Sequence, residues 1–190
     1  MRIIGGNYKG KKLFLPNDRK TRPLKDLVKE SIFNLIQHSN KINLKIENSI
    51  VLDLFAGIGS FGIECLSRGA KKVIFFENYP QVINVLKKNL KSLKKNKNYE
   101  VFLSDCFDFF ESKNQITSKF DIIFLDPPYR EVKINKIIEK IIEKKYLNKN
   151  GIIIIHRHKK DSLVITNKIK VFEERNYGIS KIFFCDLNIL

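Results

Sequence analysis

Cysteine is scarce in this chain, and the cysteines that it has are far apart. Cys65, Cys106 and Cys185 form no CxxC pair among the 190 residues. Their spacing therefore indicates neither a disulfide framework nor a zinc site. We expect reduced thiols, as is usual in the cytosol, and no bound metal.

Long apolar runs are absent as well. Runs such as residues 151–155 are far shorter than the roughly 20 residues that a membrane-spanning helix needs. Residues 1–7 lack the apolar segment of a secretory signal. These absences predict a soluble cytoplasmic protein without a membrane partner.

Acidic residues are outnumbered by basic ones. The chain has 36 Lys and Arg against 20 Asp and Glu, which gives a formal net charge of +16. Such a surplus favours a polyanionic partner, because Lys and Arg displace the counterions condensed on phosphates. The alternative is a bias of the coding sequence, since Lys, Asn and Ile are all abundant.

No repeat or linker divides the chain, so we predict a single domain over residues 1–190. Residues 1–40 favour an N-terminal extension, in which two short strands separated by glycines form a hairpin and an apolar stripe marks a helix. Residues 50–190 are the predicted catalytic core. The two strands of the extension are residues 2–4 and 12–15, and its helix is residues 24–38.

From residue 50 onward, short apolar runs alternate with amphipathic segments. Continuous apolar strands joined by helices predict a parallel sheet covered on both faces, a doubly wound α/β fold. The last two strands have no helix between them and predict an antiparallel hairpin around residues 176–178. The strands are residues 50–55, 72–77, 99–103, 120–125, 151–155, 171–174 and 179–187, and the helices are residues 59–67, 80–93, 106–110 and 134–145.

The first strand of this core leads into a glycine-rich turn with Gly57, Gly59 and Gly62 in a GxGxxG pattern. Such glycines permit close approach of a nucleotide ligand, and Glu77, which ends the next strand, suits ribose hydroxyls. A dinucleotide and S-adenosylmethionine both fit. Asp53 favours S-adenosylmethionine, which is cationic and carries no phosphate. Alternatively, Asp53 only caps the helix.

A second loop follows the third strand of the core. Asp105 is predicted to accept a hydrogen bond from the adenine amino group, and Phe107 to line the ring. Asp105 is almost as well suited to cap the short helix that follows, and the two roles are compatible. Phe55 in the first loop and Cys106 in the second complete the predicted cofactor contacts.

The fourth strand ends in Asp126-Pro127-Pro128-Tyr129. Two prolines fix φ and remove two N–H donors, so the carbonyl groups and the Asp126 carboxylate form a rigid cluster of acceptors. A planar amino group has two N–H donors and suits this cluster, and Tyr129 offers a face on which a base stacks. The alternative is a proline-rich turn with Tyr129 packed on the surface.

The sequence from Asp53 to Gly57, together with Asp126-Pro127-Pro128-Tyr129, resembles the amino-group methyltransferases. The opening residues resemble more specifically the RsmD-type small-subunit ribosomal RNA guanine-N2 methyltransferases. This second resemblance covers nearly the whole chain. Its residues are Arg2-Ile3-Ile4-Gly5-Gly6, Gly10, Leu13, Pro16, Arg22-Pro23, Asp26, Val28, Glu30, Phe33, Asn34 and Tyr177-Gly178.

The resemblance implies a Rossmann-like class I methyltransferase fold with a seven-stranded sheet, and S-adenosylmethionine as cofactor. It implies methylation of a guanine N2 amino group in 16S ribosomal RNA, within the small ribosomal subunit or an assembly particle, by a monomer. The family's cofactor loop maps onto Asp53, Gly57 and Gly59, and its ribose and adenine contacts onto Glu77 and Asp105. Its catalytic motif maps onto Asp126, Pro127, Pro128 and Tyr129.

Two departures from the family pattern stand out. Leu24 stands where the family has Thr, which removes any hydroxyl role there. His156-Arg157-His158 follows the fifth strand, where we expect an acidic residue. We interpret these residues as added positive charge for RNA or as histidines solvated at the surface, and not as a metal site, because no third ligand is near in sequence.

The N-terminal segment is strongly basic. A basic hairpin beside the active site is expected to grip the RNA backbone while the target base swings into the pocket. The residues predicted to bind RNA are Arg2, Lys9, Lys11, Lys12, Arg19 and Arg22.

Three alternatives remain open from the sequence. The same chemistry serves enzymes that methylate adenine N6 in DNA or RNA, or a protein glutamine. The glycine-rich loop and Glu77 alone also fit an NAD-linked oxidoreductase, which leaves the motif at residues 126–129 unexplained. A non-catalytic RNA-binding module on the same scaffold is the third.

Overall fold

The protein was analysed as a computed structural model, which describes residues 1–17, 24–94, 98–112, 116–128, 131–161 and 165–187. A single sheet contains the named strands of these residues, and helices cover both of its faces. The strands are β1 Ile50–Leu54, β2 Lys72–Phe76, β3 Tyr99–Phe102, β4 Phe120–Leu125, β5 Leu147–His158, β6 Ile169–Tyr177 and β7 Ser180–Leu187, and the helices are α1 Asp26–His38, α2 Ser60–Ser67, α3 Pro80–Lys91, α4 Cys106–Glu111 and α5 Ile134–Glu143.

The seven strands lie in the order β3-β2-β1-β4-β5-β7-β6. The first five in this order are parallel, and β7 pairs antiparallel with both β5 and β6. The chain reverses its direction of winding between β1 and β4, so the carboxyl ends of these strands flank the crevice where such sheets bind ligands. The predicted seven-stranded α/β fold with an antiparallel C-terminal hairpin is confirmed.

Alternate side chains of the central strands enter two separate apolar cores. In β4, Ile122 and Phe124 pack under α1, α2 and α3, whereas Ile123 and Leu125 pack under α4 and α5. A strand buried on both faces has no polar positions to alternate with, which is why the sequence shows continuous apolar runs there. The amphipathic segments between these runs also predict the helices to within a few residues.

The C-terminal hairpin is longer than its apolar residues alone predict. β5 continues to His158 and pairs with β7, and β6 begins at Ile169. The tight turn at Gly178, with φ +60°, connects β6 and β7. Charged residues on the exposed side of β6 interrupt its apolar pattern, so the predicted strand, residues 171–174, is too short. An edge strand of this kind buries only one face.

The predicted N-terminal hairpin forms only in part. Arg2 and Lys12 make one antiparallel bridge. Backbone hydrogen bonds flank it, from Ile3 N–H to the Lys11 carbonyl at 2.9 Å and from Leu13 N–H to the Met1 carbonyl at 3.2 Å. A 3-10 turn, Gly6–Tyr8, lies between the two sides. Gly6 has φ +71°, and a Cβ there would lie 1.9 Å from the carbonyl oxygen of Ser67 at the end of α2. Close packing against α2 therefore dictates the turn.

A buried ionic cluster ties this segment to the core. The Glu64 carboxylate, in α2, accepts hydrogen bonds from the backbone N–H groups of Ile4 and Gly5 at 2.8 and 2.7 Å. Arg68 pairs with the same carboxylate at 2.9 Å, and Lys29 lies 3.5 Å from it. Burial lowers the pKa of Lys29, and the negative charge of Glu64 acts in the opposite direction.

The 3-10 turn lies at the C-terminal end of α2, whereas the glycine-rich loop precedes the N-terminal end of this helix. Tyr8 N–H donates to Ser67 Oγ at 3.0 Å, at the end of α2. The chain then enters β2 beside Ser49, where the parallel strands begin. The expectation that the basic hairpin lies beside the active site is thus wrong for its turn, including Lys9. An eight-residue helix, about 12 Å long, separates the turn from the glycine-rich loop.

Candidate active site

Four carboxylates gather where the parallel strands end. Asp53 lies in β1 next to Phe124 of β4, and Asp126 follows β4 directly. Glu77 follows β2, and Asp105 follows β3. The sheet register thus brings together residues that lie up to 73 positions apart in the sequence (126 − 53).

Asp53 is the most deeply buried of the four, with 1% of its surface exposed. Its Oδ2 accepts the N–H of Gly62, in the first turn of α2, at 2.9 Å. Burial raises the pKa of Asp53 well above its ordinary value; the Gly62 hydrogen bond opposes this, and the charges of Asp126 and Glu77 add to it. The capping interpretation is correct, and a cation beside Asp53 would also be favoured.

In the glycine-rich loop, every second residue from 55 to 59 has a positive φ: Phe55 at 62°, Gly57 at 57° and Gly59 at 81°. A Cβ at Gly59 would lie 2.6 Å from Leu86 Cδ1, whereas a Cβ at Gly57 would meet nothing within 4 Å. The left-handed φ of Gly59 favours glycine, and the Leu86 methyl group, at the end of a flexible side chain, adds a smaller packing cost. The backbone at Gly57 faces open space, as a site that a ligand approaches closely must.

Glu77 holds this loop in place. Its Oε2 accepts the N–H of Gly57 at 2.6 Å, and its Oε1 accepts the N–H groups of Asn78 and Tyr79 at 2.9 and 2.8 Å. The carboxylate thereby connects the end of β2 to the turn after β1. The contact of Glu77 with a ribose remains a prediction. The three backbone hydrogen bonds already hold the carboxylate in one orientation.

The second loop has the geometry of a helix cap. Asp105 Oδ1 accepts the N–H of Phe107 at 2.7 Å, and its Oδ2 accepts from Asn78 Nδ2 at 2.7 Å. The rings of Phe55 and Phe107 meet edge to face, with centroids 5.9 Å apart. Cys106 lies in the apolar core at 3% exposure, and burial raises its thiol pKa. Any cofactor contact from Cys106 must therefore come from its backbone.

The catalytic motif has a partner that the sequence search did not identify. Asp126 Oδ1 and His156 Nδ1 are 2.7 Å apart. Leu125 of β4 is paired with Ile155 of β5, so the next residues of the two strands fall side by side. A register argument from the two apolar runs finds this pair, whereas a search for motifs does not.

Arg157 donates hydrogen bonds to two backbone carbonyl groups beyond the end of β4. Its guanidinium donates to the carbonyl oxygens of Pro128 at 3.4 Å and Glu131 at 2.9 Å, on either side of residues 129–130. Its Nε donates to Asp161 at 2.5 Å. His156 and Arg157 are only 6% and 1% exposed. The interpretation of His156 as a histidine solvated at the surface is therefore wrong, whereas His158 is partly exposed. Arg157 is too deeply buried to add surface charge for RNA.

Three predicted site residues, Tyr129, Arg19 and Arg22, lie outside the described residues. Within the described ranges, no group of three or more His, Cys, Asp or Glu side chains is arranged to hold a metal ion. Over the same ranges, no helix has the length and apolar character needed to cross a bilayer.

The segment after the N-terminal bridge runs beside the glycine-rich loop. The Asn89 side chain accepts from Phe14 N–H at 2.8 Å, and donates to the carbonyl oxygens of Phe14 at 3.2 Å and Ile58 at 3.0 Å. Asn89 is fully buried. It therefore joins α3, the N-terminal segment and the loop at a single amide.

Known proteins resemble this chain over almost its entire length. It is 37% identical over 180 residues to "Ribosomal RNA small subunit methyltransferase D" of Haemophilus influenzae, covering 94% of this chain and 90% of that one. It is 35% identical to "Putative rRNA methyltransferase YlbH" of Bacillus subtilis, with 95% of each covered. The structure of "Putative methyltransferase yhhF from Escherichia coli" superposes with a TM-score of 0.83 at 27% identity, covering 100% of this chain and 99% of that one.

The model of the family described as "Conserved hypothetical protein 95" matches residues 1–186. This match includes the glycine-rich loop, the proline motif and the N-terminal block. The chain therefore belongs to this family, the S-adenosylmethionine-dependent ribosomal RNA small-subunit methyltransferase D family that its opening residues resemble.

Proposed function

We propose that this protein methylates the N2 amino group of a guanine in 16S ribosomal RNA. The observation that carries the proposal is the position of the Asp126-Pro127-Pro128 acceptor cluster beside a crevice lined by buried carboxylates. The names of the relatives support small-subunit ribosomal RNA as substrate. The resemblance of the opening block supports the guanine amino group.

The residues around the first loop fit S-adenosylmethionine. Asp53, Glu77 and Asp126 place three carboxyl groups together, which suits a cationic ligand and disfavours the diphosphate of a dinucleotide. Gly57 gives the open backbone that close approach needs. Glu77 and Asp105 would hold the ribose and the adenine, with Phe55 and Phe107 beside the ring. When bound, the cofactor supplies an electrophilic methyl group on a sulfonium.

Asp126 and the Pro127 carbonyl prepare the nucleophile. The lone pair of a nucleobase amino group is delocalised into its ring, so the nitrogen is a poor nucleophile. Accepting its two N–H bonds at these two oxygens favours a pyramidal nitrogen with its lone pair directed at the methyl group. Alignment of this kind contributes roughly 7–11 kcal/mol to a bimolecular reaction.

Asp126 need not be a strong base. The nitrogen becomes a strong acid once the fourth bond has formed, and it then loses a proton readily to the adjacent carboxylate or to water. The Asp126 carboxylate has only to accept an N–H of the amino group and hold it in place. Positioning thus supplies most of the catalysis.

The net charge of +16 supports RNA as the partner. Lys12 is exposed and lies two residues before Phe14, whose backbone Asn89 joins to the glycine-rich loop. Lys9 follows the 3-10 turn at the C-terminal end of α2, near the start of β2. We assign the RNA next to the target base to Arg2, Lys11 and Lys12, and a more distant stretch to Lys9. Arg19 and Arg22 stay predicted RNA contacts from the sequence. The protein acts as a cytoplasmic monomer on the small subunit or an assembly particle.

The test uses radiolabelled S-adenosylmethionine with unmodified small-subunit particles, naked 16S RNA and DNA, followed by digestion to nucleosides. Label in N2-methylguanosine is expected, from particles or naked RNA. Label in N6-methyladenosine would keep the chemistry and overturn the target. Absence of label in every nucleic acid would overturn the function.

A further inference from the structure

The end of β5 contributes a side chain to the catalytic motif. His156 Nδ1 lies 2.7 Å from Asp126 Oδ1, and the two side chains are 7% and 21% exposed. The strand register places them side by side, as the paired residues Leu125 and Ile155 precede them. The contact therefore depends on two strands of the sheet core and not on a flexible loop.

The chemistry of the two groups gives the contact a direction. An ionised carboxylate only accepts hydrogen bonds, so the proton of this bond belongs to His156 Nδ1. The bond occupies Oδ1 of Asp126 and fixes the carboxylate plane. Oδ2 keeps its lone pairs for another donor. A carboxylate that can rotate freely would present either oxygen in many directions.

We propose that His156 is a positioning residue for methyl transfer: it holds Asp126 so that Oδ2 faces the amino group of the target base. The proposal rests on the proposed function, since it assigns Asp126 to that amino group. Arg157, the next residue of β5, holds the Pro128 carbonyl from the same strand. Together the two side chains fix both ends of the acceptor cluster.

The variants His156→Leu and His156→Asn separate positioning from simple packing. Leu and Asn have nearly the same shape, but only Asn retains an N–H donor near the place of Nδ1. We expect His156→Leu to lower kcat by about 10-fold or more, because small misplacements of reacting groups have effects up to about 100-fold. His156→Asn should recover most of this loss. The Kd for S-adenosylmethionine should stay within about 2-fold in both.

A double-mutant cycle with Asp126→Ala shows whether His156 acts through Asp126. If it does, His156→Leu has no further effect on kcat in the Asp126→Ala background, because the group it positions is gone. Equal activities of His156→Leu and the wild type would overturn the proposal. So would equal losses in His156→Leu and His156→Asn, or additive losses in the cycle.

A spectroscopic readout keeps this test independent of the substrate. The chain has three histidines, so the ¹⁵N resonances of the imidazoles are readily assigned. We expect Nδ1 of His156 to carry a proton in the wild type. Its ¹⁵N chemical shift should change in Asp126→Ala. If the shift is present but no RNA is methylated, the proposed function fails while the pairing stands. If Nδ1 of His156 carries no proton, the positioning proposal fails.

Discussion

At the scale of single residues, the site combines features that each oppose stability. Asp53 is an acid buried beside two further carboxylates, and Phe55 has a φ of 62°. Backbone conformations of this kind cost roughly 1–3 kcal/mol, and such features cluster at functional sites. We infer that the apo protein carries unfavourable energy here, which a bound cation would relieve.

Asp53→Asn should therefore stabilise the apo protein and weaken its binding of S-adenosylmethionine. The amide oxygen still accepts the Gly62 N–H, but the buried charge is removed. We expect a rise in Tm of roughly 2–4 °C, or about 1 kcal/mol in a chain of this size. Affinity should fall about 10- to 100-fold by calorimetry. A variant with lower Tm and unchanged affinity would contradict this role.

The raised pKa of Asp53 also predicts how binding depends on pH. Because the folded-state pKa lies above the unfolded one, Asp53 favours folding at low pH, and this contribution disappears as pH rises through the folded pKa. A cationic ligand favours the ionised form, so its affinity should rise with pH over the same interval, by at most about tenfold per pH unit. In Asp53→Asn both dependences should vanish.

Gly57 and Gly59 form a matched pair with different expected effects. Gly59→Ala places a Cβ 2.6 Å from Leu86 at a positive φ and should lower stability by about 1–3 kcal/mol. Gly57→Ala meets nothing in the apo protein, so about 1 kcal/mol is expected from its φ alone. Cofactor affinity should fall more in Gly57→Ala. Denaturant unfolding and calorimetry of both variants check this; the opposite order would contradict an open ligand face at Gly57.

At the scale of elements, β5 positions the catalytic loop. Arg157 is buried and bonds the carbonyl oxygens on both sides of residues 129–130, and its carboxylate partner is Asp161. Lys lacks the planar fork that reaches several acceptors at once. The rigidity of the acceptor cluster thus depends on a strand as well as on the two prolines.

Arg157→Leu should lower stability by about 3–5 kcal/mol, since it leaves a carboxylate and two carbonyl groups without their buried donor. Arg157→Lys should fold better yet lower kcat about 10-fold. Hydrogen exchange at Glu131 should increase in both. Arg175→Leu is the control, because Arg175 is half exposed and its surface pair with Glu173 contributes less than about 1 kcal/mol. Unchanged hydrogen exchange at Glu131 in Arg157→Lys would contradict the role of Arg157 in holding this segment.

The elements also show which parts of the structure the sequence predicts. Central strands such as β4 were predictable because burial on both faces leaves an uninterrupted apolar run. The edge strand β6 was predicted too short because its exposed face is charged. The turn at Gly6 depends on the surface of α2, and the pairing of Asp126 with His156 depends on the register of β4 and β5. Both contacts join distant parts of the chain, which local patterns do not encode.

At the scale of the whole molecule, the surplus of positive charge and the position of the N-terminal segment define an expected RNA path. Lys12 lies two residues before Phe14, whose backbone Asn89 connects to the glycine-rich loop, whereas Lys9 follows the 3-10 turn at the C-terminal end of α2. Both are exposed. With the proposed function, we expect RNA near the target base to pass Lys12 before it reaches Lys9.

Charge reversal at these two lysines should have unequal effects. Lys12→Glu should weaken binding of a short RNA around the target and reduce the slope of log K against log salt by about 0.7–1, the value for one phosphate contact. Lys9→Glu should have little effect on the short RNA and a larger one on intact particles. Binding measured over a series of salt concentrations checks this. Equal effects on the short RNA would contradict the assigned path.

The central claim is that Asp126 prepares a guanine amino group for methylation. The most direct measurement compares wild type and Asp126→Ala on unmodified small-subunit particles with radiolabelled S-adenosylmethionine, after calorimetry has shown that both bind the cofactor. The account predicts label in N2-methylguanosine from the wild type and at least about 100-fold less from the variant. Label in another nucleoside, or equal label from both proteins, would contradict it.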